Sequence, residues 1–307
     1  VAGSRITVQV GERQLSLSNL EKVLYPRNGF TKGEVLDYYT RIAPVLLPHV
    51  RDRAMTFVRF PEGVTGDSFF EKDVSRHAPD WVRTARLTVG GRGKDPEIVT
   101  YPLIDDLPAL VWAANLAALE LHVHQWTVGP GDDERSTPDR LVFDLDPGPG
   151  ATVVDCCRVA ERLYDVLVED GLTPVAKTSG SKGMQLYAGI VTTDGGEPSR
   201  YAKALAERLA AETPDLVVAR MTKNLRPGKV FIDWSQNNPV KTTVAPYSLR
   251  GRDEPTASTP VTWDEVRACR HVTHLRFTAG EVLARVEELG DLFADLDRTR
   301  VPIPAFG

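Results

Sequence analysis

The chain has 307 residues, 42% of them hydrophobic, a formal net charge of −5 and a pI near 5.8. That composition excludes a disordered chain, and the acidic balance excludes a general nucleic-acid coat while leaving room for a local basic groove. No run approaches the roughly 18 apolar residues that span a bilayer, the opening stretch has no signal-like segment, and Cys156, Cys157 and Cys269 lack zinc spacing, so a soluble, reduced, cytoplasmic protein without a membrane partner is expected.

Thr31-Lys32-Gly33-Glu34 reads as a capping box that opens a helix, with Val35, Tyr38, Tyr39, Ile42 and Val45 at helical spacing. Pro44 is expected to kink or shorten it. Residues 54–60, 68–72 and 99–104 look like strands, and residues 108–121, rich in Ala, Leu and Trp, suit a buried helix. Residues 140–146 form a β-type run ended by Pro147-Gly148-Pro149-Gly150. A helix over 152–170 follows, with Gly171 at its end, then strand, Gly-rich turn and strand across 174–190. A helix over 199–212, strands over 216–221 and 229–234, and two helices capped at Thr262 and Thr278 complete the chain. Helices and strands interleave without a boundary signal, which predicts a single domain over 1–307 of α/β (α+β) class, its β-sheets flanked by helices.

The sharpest feature is Arg140-Leu-Val-Phe-Asp144-Leu-Asp146-Pro. On a strand, Phe143 and Leu145 face one way while Asp144 and Asp146 face the other, about 6.6 Å apart at ~3.3 Å per residue. Two such carboxylates repel unless a cation lies between them, and a divalent ion with hard oxygen ligands resolves this. The plainer alternative is an exposed strand end before a Pro-Gly turn. Val230-Phe-Ile-Asp233-Trp-Ser-Gln236 carries another Asp in an apolar run, which is unfavourable to bury unless paired or metal-bound. A salt bridge to a nearby Arg or Lys would serve equally. If metal-bound, three carboxylates could hold two ions ~3.5–4 Å apart, the arrangement used for in-line phosphoryl transfer.

Basic residues cluster nearby: Lys223, Arg226, Lys229, Lys241, Arg250 and Arg252 stand against the single acid Asp233 over residues 222–252. Thr178-Ser179-Gly-Ser-Lys182-Gly-Met-Gln185 joins two strands, and its amides, Ser hydroxyl and Lys could cradle phosphate, although such a turn is also an ordinary hairpin. It is not a Walker loop. His122 and His124 alternate without a third soft ligand, which suits core or surface histidines as well as metal ligands. Phe69 and Phe70 precede Glu71 and Lys72; one ring could stack on a base, and burial of both is the plainer expectation.

Taken in order, these segments resemble the polymerase domain of bacterial ligase D and its stand-alone relatives in the archaeo-eukaryotic primase superfamily. The resemblance begins at Asn19-Leu-Glu-Lys22-Val-Leu-Tyr-Pro26 and Thr31-Lys32, and continues through Phe69-Phe-Glu-Lys72, Glu120-Leu-His-Val-His-Gln-Trp126 and Leu141-Val-Phe-Asp-Leu-Asp-Pro147. Thr178-Ser-Gly-Ser-Lys-Gly183, Met221-Thr-Lys223, Val230-Phe-Ile-Asp-Trp-Ser-Gln-Asn237 and Lys241-Thr-Thr-Val-Ala-Pro-Tyr-Ser-Leu-Arg-Gly-Arg252 extend it over nearly the whole chain.

The resemblance implies a primase-like catalytic fold with Asp144, Asp146 and Asp233 as ligands of two manganese or magnesium ions. It implies that His122, Ser179, Lys182, Gln236 and Arg250, with Lys223 and Arg226, hold the incoming nucleoside triphosphate. Lys22 and Lys32 match the family's contacts to a downstream 5′-phosphate, and Phe69 or Phe70, with Lys72 nearby, its template-stacking aromatic. Manganese preference and ribonucleotide incorporation are implied in the same way. One departure stands out: the family's usual His is Gln185 here, which can donate an amide N–H to phosphate but cannot become cationic, so weaker nucleotide binding is expected.

The expected function is therefore a DNA-templated repair polymerase at gaps or double-strand-break ends, nucleoid-associated, with a separate DNA ligase and an end-binding protein as partners. No Lys-x-Asp-Gly ligase motif occurs in these residues. A primer-independent primase shares the same aspartates, and a non-catalytic DNA-end-binding module is the alternative from another class. A metal-dependent nuclease is more distant, since hydrolysis needs no triphosphate cradle.

Overall fold

A computed structural model describes residues 5–90 and 95–304; the two ends of the 1–307 span lie outside the described residues. Two sheets organise it. The larger runs Val217–Val218, Val230–Asp233, Arg140–Pro147, Met184–Val191, Pro174–Thr178, Pro260–Val261, with Arg300–Pro302 added in parallel along Gly189–Val191. The smaller runs Thr243–Val244, Ala118–Val123, Met55–Arg59, Phe69–Glu71. The mixed helix-and-sheet class expected from the sequence is what the chain adopts.

Strand alternation decides what each face of the larger sheet does. Leu141, Phe143 and Leu145 enter a core shared with Cys156, Leu163 and Leu205 of the helices Val153–Glu169 and Glu197–Glu212. Asp144 and Asp146 therefore take the opposite face. The smaller sheet packs with the helices Lys32–Val50 and Leu107–Asn115 around Leu36, Tyr39, Phe57 and Leu110.

A buried ion network sits at the base of the Asp-bearing strand. The guanidinium of Arg53 meets the Asp139 carboxylate through two 2.8 Å bonds, and Arg140 Nη2 bonds Asp297 at 3.1 and 2.9 Å while Nη1 donates to the His49 carbonyl at 2.9 Å. It joins the helix Lys32–Val50, the central strand and the C-terminal segment.

The capping boxes at Thr31, Thr262 and Thr278 start helices, as their spacing predicts, and Thr152 with Asp155 caps the helix expected from 152. Other expectations change. Pro44 does not shorten its helix, which continues through Pro44 and Pro48 to Val50, because Ile42, Ala43 and Leu46 are packed in the core on either side. The helix expected over 108–121 ends at Asn115. Ala117 adopts a left-handed φ of 57°, and Ala118–Val123 leaves as a strand between Met55–Arg59 and Thr243–Val244. Pairing on both edges overrides the helix propensity of Ala, Leu and Glu. The strand expected over 216–221 shrinks to Val217–Val218. Among the described residues no helix is long and apolar enough to cross a membrane, and the three cysteines are buried and unbridged.

Candidate active site

The three aspartates come together on one face. Asp144 pairs directly with Asp233 across antiparallel strands, and Asp146 stands two residues further along. Asp144 and Asp146 line a cavity of about 540 Å³ where the two sheets meet. Burial, and then the Asp146 charge, push the Asp144 carboxyl up to about 7; burial and Asp233 raise Asp146. This excess of buried negative charge is what a divalent cation would relieve, so the donor set fits a hard metal ion.

Asp233, 8% exposed, stands behind the other two. Its Oδ1 accepts from the Ser235 amide at 3.1 Å and from the Ser235 hydroxyl, Oδ2 accepts from Gln236 Nε2 at 2.9 Å, and Lys241 Nζ lies 3.8 Å away. Among the described residues no three acidic or soft-ligand side chains already converge on one ion position.

The opposing wall is cationic and amide-rich. Ser179 Oγ accepts from the Ser181 and Gly183 amides at 3.2 and 3.1 Å, which closes the turn on itself. Gly180 has φ +68°, and a Cβ on Gly183 would fall 2.1 Å from the Leu145 carbonyl oxygen, so the loop lies against the Asp-bearing strand only because of glycine. Lys182, Arg226, Arg250, Arg252, Gln236 and His122 also border the cavity. Arg226 stacks 3.7 Å from the centre of the Phe231 ring and donates to the Met221 carbonyl at 2.9 Å. Arg250 Nη1 donates to the Ser179 carbonyl at 2.6 Å.

Other expected residues fall elsewhere. Lys223 is exposed on a short 3₁₀ turn outside the cavity wall. Lys22 pairs with Glu62 at 2.8 Å. Lys32 is 5% exposed, donates to the Ser18 carbonyl at 2.6 Å, and is drawn down to about 8 by burial, then by Lys22 and Arg59. Lys22, Lys32 and Arg59 lie close together, with Lys22 paired to Glu62 and Arg59 to Glu71. Phe69 and Phe70 are 44% and 73% exposed, so the plainer expectation that both rings are buried is wrong: their strand is the edge of the smaller sheet. Phe70 lies 6.3 Å from the His122 ring, at the cavity side. Lys72 borders a separate cavity of about 220 Å³ with His124 and Arg135. His124 is a core histidine, hydrogen-bonded to the Ala54 carbonyl at 2.9 Å and held near 4 by burial.

Sequence reading missed two groups. Glu120, buried, takes a 2.9 Å hydrogen bond with His122 Nε2 and a 3.0 Å bond from the Gly251 amide, and its Oε1 is 3.1 Å from Arg250 Nε at an angle too poor for a hydrogen bond. Burial works to raise this carboxyl, yet His122 and Arg250 outweigh it and hold it at about 2. It thus fixes two members of the cavity wall, and its place in a stretch expected to be helical concealed it. Lys177, wholly buried, reaches Gln185, and Gln185 Nε2 donates to Asp144 Oδ1 at 3.0 Å. A lysine inside a short apolar strand is the same signal that marks Asp233. Gln185 thus bonds Asp144 while also bordering the cavity.

The chain is similar to known proteins over most of its length. The family model described as the LigD primase-polymerase domain matches residues 31–293. The multifunctional non-homologous end joining protein LigD of Mycolicibacterium smegmatis is 47% identical over 290 residues, covering 92% of this chain and 36% of that protein. The bifunctional non-homologous end joining protein LigD of Bacillus subtilis is 31% identical over 290 residues, 93% of this chain and 44% of that protein. The chain thus spans less than half the length of these relatives. A solved polymerase domain of Mycobacterium tuberculosis ligase D, in complex with DNA, superposes with a TM-score of 0.86 at 43% identity, covering 94% of this chain and 99% of that one. The chain belongs to the LigD primase-polymerase domain family.

Proposed function

We propose that residues 1–307 act as one template-directed repair polymerase domain that adds nucleotides at short gaps or double-strand-break ends during end joining. One observation carries this reading: Asp144, Asp146 and Asp233 share a sheet face, and the first two line a cavity whose other wall presents Ser179, Lys182 and Arg250. An acidic wall opposite a cationic wall fits a nucleoside triphosphate held between divalent ions and basic side chains.

Asp144, Asp146 and Asp233 would hold two divalent ions, manganese or magnesium, which supply activation of the primer 3′-hydroxyl and neutralisation of the phosphates. The chain does the rest by positioning. Lys182, Arg250, Gln236 and His122 bind and orient the triphosphate, with the Ser179 turn closing over it and Arg226 bordering it. Lys223, outside the wall, is kept only as a contact for entering nucleotide or DNA. Phe70, with Phe69 beside it, offers a stacking surface for a template base, and Lys72 a phosphate contact. The Lys22, Lys32 and Arg59 corner takes the downstream 5′-phosphate. Sealing then falls to a DNA ligase, and delivery to broken ends on the nucleoid to an end-binding protein.

The test is primer extension on a one-nucleotide gap, with and without the downstream 5′-phosphate, offering ribo- or deoxyribonucleotides with Mn²⁺. Extension of at least one templated nucleotide, faster with the 5′-phosphate, is expected. No extension by the unmutated chain would remove the enzyme reading. Extension that also begins on template alone would turn it into a primase.

A further inference from the structure

Four side chains form a continuous row across the larger sheet. Register pairs Asp233 with Asp144, Asp144 with Gln185, and Gln185 with Lys177, so all four project from one face. Lys177 is 0% exposed, and its ammonium has three acceptors: Gln185 Oε1 at 2.6 Å, Ser258 Oγ at 2.7 Å and the Val244 carbonyl at 2.9 Å. An ammonium has three protons and no acceptor capacity, so this set engages all of its donors.

That fixes the amide of Gln185. The atom 2.6 Å from Lys177 Nζ is the carbonyl oxygen in the arrangement that gives every group a partner: it accepts from Lys177 and from the Tyr187 hydroxyl, and leaves the amide N–H for the Asp144 carboxylate. The amide nitrogen therefore faces Asp144, and donates to Oδ1 at 3.0 Å. The Tyr187 hydroxyl, 3.1 Å from the same Gln185 oxygen and 2.8 Å from Thr243 Oγ1, closes the surroundings of the amide. Among the described residues Asp144 Oδ2 receives no protein donor.

We propose that Lys177 and Gln185 form a positioning relay that sets the orientation of the Asp144 carboxylate for cation binding. Lys177 locks the glutamine, and the glutamine locks one carboxylate oxygen so that the other is left for the ion. Such outer partners orient ligands and typically change metal affinity by about 10–100-fold when removed. The position needs a side chain that accepts toward Lys177 and donates toward Asp144. Glutamine does both, and so does a neutral imidazole. Leucine does neither, and glutamate would turn a second carboxylate toward Asp144.

This inference rests on Asp144 being a cation ligand, and the experiment separates the two. Mn²⁺ binding to the whole chain is titrated by the electron paramagnetic resonance signal of free Mn²⁺, without DNA or nucleotide, after thermal melts confirm folding. Gln185→Leu and Lys177→Met should each weaken Mn²⁺ binding about tenfold, while Gln185→His stays within about threefold of the unmutated protein. Saturating Mn²⁺ should restore gap filling by Gln185→Leu to within about threefold, which a merely misfolded pocket would not allow. Undiminished affinity in Gln185→Leu, or no recovery at saturating Mn²⁺, overturns the relay. If Asp144→Asn binds Mn²⁺ as the unmutated protein does, the ligand assignment itself fails, whatever Gln185 does. Should Lys177→Met not fold, Gln185→Leu and Gln185→His decide alone.

Discussion

Two buried polar regions of this molecule, both on the strand Arg140–Pro147, are built on opposite principles. At its start, Arg53 and Arg140 meet Asp139 and Asp297 charge for charge. Burial alone would raise both carboxyls, but Arg53 beside Asp139, and His49 with Arg140 beside Asp297, hold them below the usual range. At its end, Asp144 and Asp146 are raised by burial and by neighbouring carboxylates. A charge-balanced network serves the fold, whereas an unbalanced one is poised for a ligand. The same strand thus anchors the structure at one end and leaves charge uncompensated at the other.

Mutation should separate the two ends. Asp144→Ala or Asp146→Ala should lower single-turnover gap filling by about a thousandfold or more, with a melting temperature unchanged or higher, because a repelling buried charge is removed. A large loss of stability with either would mean that these carboxylates serve the fold. Arg53→Met removes the two-bond partner of Asp139, leaving it the single Arg300 contact at 3.1 Å, and should destabilise by about 3 kcal/mol in urea unfolding, while Mn²⁺ binding well below the transition stays normal. A near-neutral result would show that Asp139 is compensated elsewhere.

Lys182 is exposed on the cavity wall, so Lys182→Ala should raise the KM for nucleotide about tenfold with kcat changed little, consistent with loss of one charge-assisted contact. Equal effects on kcat and kcat/KM would move Lys182 from binding into the transition state.

The smallest effect is in pH dependence. Asp144 titrates at about 7 in the folded chain, against roughly 3.9 for a carboxyl in an unfolded one. A carboxyl raised on folding penalises the folded state only where the unfolded chain has lost its proton, so the penalty begins above about pH 4 and is complete above about 7. A bound cation removes it. The rise in melting temperature on adding Mn²⁺ should therefore grow from pH 5 to pH 8, by a few degrees at most. The lowered Asp297 and Asp139 run the other way, contributing stability above the unfolded pKa that is lost in acid. A flat or falling Mn²⁺ effect would contradict the assignment of uncompensated charge to Asp144.

How much of this was legible beforehand depends on whether the cause was local. Asp144 and Asp146 were readable because strand alternation alone puts them opposite Phe143 and Leu145. Thr31 and Thr262 were readable because a cap is a contact between residues three apart. The strand Ala118–Val123 was not, since its Ala-Leu-Glu composition favours a helix and only its two neighbours make it a strand. That misreading concealed Glu120. The exposure of Phe69 and Phe70 depends on their strand being an edge, which composition cannot express. Lys177 and Gln185 are eight residues apart, and their link to Asp144 exists only in the register of three strands. The reach of Lys32 into Ser18 is likewise a tertiary fact.

The most direct test of the metal centre is anomalous diffraction at the manganese edge, from crystals soaked in Mn²⁺ with a non-hydrolysable nucleoside triphosphate. Density at roughly 2.0–2.6 Å from carboxylate oxygens of Asp144 and Asp146, with Asp233 turned from Ser235 to join them, is the predicted result. Manganese bound elsewhere in the cavity, or absent beside a bound nucleotide, would contradict the account.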